Sequence, residues 1–183
     1  MIFTFEDCKI KTVSDLENHA KKIEEQIRRS KEYRCWLRYL KEDCQMRFSQ
    51  TWNKIDFVDK KLTLEIHHLI TLYDLVMIIG GDMIANLKDG EYFLSFDISK
   101  AVIEAHLDDL IPVVSLAKTE HELQHANLFK IDPKKAQIHL GNYKDFIDKY
   151  NDYLTEKDYK MYLDLGADKE YINEKQNAQN RSK

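Results

Sequence analysis

Four of the seven histidines in this 183-residue chain fall into two tight groups. His67 and His68 are adjacent, and His121 and His125 stand four apart, so on a helix the second pair shares one face, one turn above the other. Neutral imidazole is the commonest side-chain metal ligand. An i, i+4 pair can bring two ring nitrogens to one ion at ~2.0–2.1 Å, the usual zinc–nitrogen distance. One such pair occurs easily by chance; two groups in one chain point to a single divalent-metal site (Zn, Mg, Mn or Ni). His19, His106 and His139 have no neighbour at ligand spacing and read as structural.

The stretch His121-Glu122-Leu123-Gln124-His125 also spells H-E-x-x-H, in which two histidines bind zinc and the glutamate is general base for peptide hydrolysis. The local pattern weighs against that use. Thr119-Glu120-His121-Glu122 reads as a capping box, which places His121 in the first turn of its helix and gives Glu122 a helix-capping task. No third histidine follows in 126–131, and His67-His68 would be left without a role.

Those side chains need elements to carry them. Residues 62–67 alternate and contain β-favouring Thr63 and Ile66, which predicts a short strand ending at the His pair. Pro112 opens a second strand at Val113–Leu116. The helix that starts at Thr119 runs to about Leu128, and Asp132-Pro133 stops the chain beyond it.

Upstream, Ser14-Asp15-Leu16-Glu17 reads as a capping box opening a long helix to about Asp43, with a break near Ser30 and a basic run at Arg28, Arg29, Lys31, Arg34 and Arg38. Further helices are expected over 72–87, with Gly80-Gly81 a weak point inside, and over 98–108 behind Asp97 as N-cap. Two more follow, one after Asn142 and one from Thr155-x-x-Asp158 to Leu165-Gly166. Residues 56–61 read as a turn, and the polar tail from about Asn173 as frayed.

The expected fold is α+β, mostly helical, with a small β-hairpin and a metal-binding helix. Its parts are an N-terminal helical region over 1–58, a core over 59–150 with helices inserted between the strands, and a C-terminal helix and tail over 151–183.

Composition sets the bounds. A chain 43% hydrophobic and 33% charged can bury a core without a disulfide or a structural metal. The formal charge of −4 and pI near 6.0 exclude a broadly basic nucleic-acid coat, so phosphate contact would need a local patch, for which Lys130, Lys134 and Lys135 are the candidates. Cys8, Cys35 and Cys44 form no C-x-x-C pair and read as buried small hydrophobes in a reducing compartment. The N-terminus lacks a signal-peptide layout, and the longest apolar run, 69–80, is interrupted by Asp74 and falls short of the ~20 residues that cross a bilayer. A soluble, cytoplasmic protein with no membrane partner is expected.

A strand ending in a His pair, a second strand and a helix opening on further ligands resembles the HNH (His-Me finger, ββα-metal) endonuclease family. The match runs through Glu65-Ile66-His67-His68, then 111–114, then His121 to His125, with spacing similar to that of the colicin-type DNases. Glu65 to Asp74 and Gly141 to Phe146 also resemble phage-encoded HNH-like proteins. The resemblance implies a ββα-metal core and hydrolysis of DNA phosphodiester bonds in the host-cell cytoplasm. It implies His67, His121 and His125 as metal ligands, with His68 as the general base that activates water. Two departures stand beside it. The motif's central Asn has no counterpart, Asp108 or Asp109 lying nearest in order, and residues 69–120 make a longer connection than in compact members. The alternatives are the H-E-x-x-H zinc metallopeptidase and a non-catalytic, metal-stabilised module binding DNA or protein.

Overall fold

A computed structural model describes residues 7–53, 56 and 62–165, which fall into two compact units divided after Tyr153. The expected turn at 56–61 and the tail from Asn173 lie largely or wholly outside the described residues. Among those described, the fold is α+β and mostly helical, with two small antiparallel sheets.

Strand β1 (Lys9–Ile10) leads into α1 (Val13–Arg29). The cap of α1 is Thr12, two residues before the expected Ser14: its side chain accepts from the Asp15 amide at 3.1 Å while the Asp15 carboxylate accepts from the Thr12 amide at 3.0 Å. Ser30 breaks the helical run as expected. It is extended, ends α1, and caps α2 (Lys31–Glu42) by accepting from the Tyr33 amide at 3.1 Å. The basic run is solvated, with Arg28 and Arg29 paired to Glu24 and Glu25 one turn back.

Strand β2 (Leu64–His68) is followed by α3 (Leu72–Ala85), β3 (Phe93–Leu94) and α4 (Ser95–Leu107) before the chain returns as β4 (Val113–Ala117). β2 and β4 pair antiparallel, with His67 opposite Val114 and His68 opposite Val113. The expected hairpin is therefore a long-range pair, with α3 and α4 in the connection between its strands. β5 (Gln137–His139) adds to the free side of β4, giving the order β2-β4-β5, while β1 pairs with β3 elsewhere. A ββα-metal core as such is not shown. What is shown is a three-stranded sheet with β4 at its centre, and β4 is buried along its whole length.

α1, α3 and α4 pack through Leu16, Ile23, Ile27, Leu75, Ile79, Ile98 and Val102, which are all buried. α3 runs unbroken through Gly80-Gly81. At Gly80 a β-carbon would stand 2.8 Å from Leu16 Cδ2, so the glycine lets α1 approach closely. α5 (Lys118–His125) leaves β4 directly, and α6 (Tyr143–Lys149) buries Tyr143, Phe146 and Ile147. The C-terminal unit contains α7 (Glu156–Asp164), with the expected Thr155/Asp158 capping box in place.

Two local readings need correction. None of the three cysteines is buried: Cys35 is exposed, and Cys8 and Cys44 are half-buried. The helix carrying His121 starts at Lys118, with no side-chain cap from Thr119.

Candidate metal centre

Side-chain alternation along β2 sends Glu65 and His67 to one face and His68 to the other. α5 covers the first face. It is fastened by Glu120, a buried carboxylate that accepts from the Ala117 amide at 2.8 Å and from the Thr51 amide at 2.9 Å. Glu120, not Glu122, occupies the capping-box position. Glu122 is exposed and stands 3.9 Å from Lys118.

With α5 so placed, the rings of His67, His121 and His125 converge. Centroids lie 5.0 Å apart for His67 and His121, 5.3 Å for His67 and His125, and 4.6 Å for His121 and His125. One ligand nitrogen from each lies within 4.8 Å of the others, and the Nε2 atoms of His121 and His125 are 3.1 Å apart. Nitrogens sharing a tetrahedral zinc stand roughly 3.3 Å apart, so closure of the set lies within reach of side-chain rotation. Burial, then the neighbouring His121 and His125, holds the pKa of His67 down at about 4. His67 therefore presents a neutral lone pair at neutral pH, as a metal ligand must.

Glu65, which the sequence reading left without a role, bonds the Nδ1 of His121 through its carboxylate. The signal was available: Glu65 is two residues before His67 on a strand and must share its face.

His68 goes elsewhere. It is buried on the opposite face of the sheet, its Nε2 3.0 Å from the Nε2 of His106 on α4. The Nδ1 of His106 donates to the Val102 carbonyl at 2.6 Å, so its Nε2 accepts the proton of His68. Tyr33 and Trp36 of α2 enclose both rings. Burial drives the pKa of His68 well down, and that of His106 to about 4. A sealed imidazole whose proton is already committed has no access to the water a general base must activate.

The remaining candidates are dispersed. Lys130, Lys134 and Lys135 are exposed in the turn after α5; Lys135 pairs with Asp132 at 3.6 Å, and the Lys134 amide donates to the same carboxylate. Asp109, considered for the missing Asn, stands after α4 with φ +59° and holds His139 at 2.7 Å. Among the described residues no helix is long and apolar enough to cross a membrane.

A family model described as Bacteriophage G278-like virion protein matches residues 3–182. No curated protein and no solved structure matches the chain. The family match overturns the HNH assignment and with it the endonuclease activity and the metallopeptidase alternative. It replaces the cytoplasmic location with the phage particle, while the expected phage origin stands. Covered almost from end to end by that one model, the chain belongs to the Bacteriophage G278-like virion protein family.

Proposed function

We propose that this chain is a structural component of the phage particle in which His67, His121 and His125 hold one divalent metal ion, pinning α5 to β2. The convergence of three imidazoles from a strand and a helix carries the reading. α5 has reason to need such a pin. It has eight residues, and Glu120 is its one buried side chain. Helices this short are marginal alone and depend on packing. An ion bound only by the folded arrangement adds its binding free energy to folding.

The test is metal content and thermal unfolding of the purified full chain. The expected result is close to one zinc-class ion per chain, with a midpoint that falls on chelation and recovers on adding Zn²⁺. His67→Ala and His121→Ala should each remove both the ion and the recovery. A chain that takes up no ion after zinc addition, or variants that bind it as the parent does, would overturn the proposal.

A further inference from the structure

Resting on that metal-site reading, we infer that Glu65 is a positioning residue for the ion and that the site selects a nitrogen-preferring transition ion over Mg²⁺ or Ca²⁺. A carboxylate cannot donate, so in the Glu65–His121 bond it is Nδ1 of His121 that carries the proton. In the neutral ring the lone pair then sits on Nε2. That atom is the one facing His125 across 3.1 Å, and the His121 ring that carries it lies 5.0 Å from the His67 ring, centroid to centroid. Glu65 thus fixes both the tautomer and the ring plane of the central ligand. Carboxylates behind metal-bound histidines typically strengthen binding by 10–100-fold.

Without an ion, the same atoms form a hydrogen-bonded chain in which His125 donates to His121 and His121 donates to Glu65. With an ion, His125 moves its ring proton to Nδ1 and turns the Nε2 lone pair inward. Glu65 keeps its bond to His121 in both states. The donor set is three imidazole nitrogens. Hard cations such as Mg²⁺ and Ca²⁺ require mostly oxygen ligands, whereas imidazole suits Zn²⁺, Ni²⁺ and Cu²⁺.

The experiment uses the full chain stripped of metal. Zn²⁺ affinity is measured against a chromogenic chelator, and Co²⁺ serves as a visible probe of coordination. Glu65→Ala should weaken Zn²⁺ binding by about 10–100-fold. Glu65→Gln, which keeps an acceptor without the charge, should fall between that variant and the parent, and keeps the test alive if the alanine variant does not fold. Histidine ¹⁵N spectra of the parent should show His121 protonated at Nδ1, and Glu65→Gln should weaken that preference. Millimolar Mg²⁺ or Ca²⁺ should leave the Co²⁺ spectrum unchanged.

Unaltered Zn²⁺ affinity in both Glu65 variants would remove its positioning role while leaving the three-histidine site intact. Displacement of Co²⁺ by Mg²⁺ or Ca²⁺ would overturn the selectivity. A parent chain that binds neither Zn²⁺ nor Co²⁺ would overturn the underlying metal-site reading instead.

Discussion

At the scale of single residues, the two glutamates of α5 separate position from composition. Glu120 and Glu122 are alike in chemistry and two apart, yet Glu120 is buried under two backbone amides and Glu122 faces solvent. Removing an acceptor that leaves buried donors unpaired costs about 1–3 kcal/mol. Glu120→Ala is therefore expected to lower stability by that amount in urea unfolding and to weaken metal uptake, because the amides of Ala117 and Thr51 lose their partner. Glu122→Ala removes one exposed pair and should change stability by less than about 0.5 kcal/mol. Equal effects of the two substitutions would contradict the assignment of Glu120 as the anchor.

At the scale of elements, the acidic residues near the starts of α1, α4 and α5 were legible, but their registers were not. In α1, α4 and α5 the acid at the third helical position accepts from the backbone amide just before the helix, as Asp15, Asp97 and Glu120 each do. From sequence, Asp97 reads as the cap itself and Glu122 as the capping acid, because several polar residues nearby satisfy the same pattern. The glycines of α3 show the same dependence on surroundings. Gly81 meets Tyr153 no closer than 3.5 Å, so Gly81→Ala should stabilise the fold by up to about 1 kcal/mol through helix propensity. At Gly80 the added carbon would press on Leu16 at 2.8 Å and Ile98 at 3.3 Å inside a closed core. Overpacking of this kind costs about 1–3 kcal/mol, so Gly80→Ala should be destabilising. Thermal midpoints moving in opposite directions for the two alanines are the expected outcome.

At the scale of the whole molecule, His68 and His106 clasp the sheet to the helical layer through Tyr33 and Trp36. Both are held neutral, chiefly by burial; for His68 the neighbouring His106 and then Arg28 oppose protonation further, whereas for His106 the bond to the Val102 carbonyl works in the other direction. The unfolded chain takes up protons near pH 6.5, whereas folded His106 does so only at about 4. Between those values the unfolded state binds more protons, so stability is complete above about pH 7 and falls as the pH drops, by up to roughly 1.4 kcal/mol per unit for each histidine. Urea midpoints of the His67→Ala chain, which separates this effect from metal release, should fall between pH 7 and pH 5. Replacing both His68 and His106 with leucine should flatten that slope; a slope unchanged by the replacement would place its origin elsewhere.

The sequence by itself determined the local geometry of the centre. Alternation on β2 and the four-residue spacing on α5 follow from backbone repeats that need no tertiary partner, and they already separate His67 from His68. The break at Ser30 and the Thr155 cap were likewise readable, because each is decided within one turn of chain. Only the tertiary structure decided which face of β2 meets which helix. That choice depends on residues 69–112 folding back to lay β4 beside β2, so that α5 emerges over Glu65 and His67 while α4 brings His106 under His68, thirty-eight residues away in sequence. Contacts of that range are set by the packing of a whole core, and no local spacing encodes them.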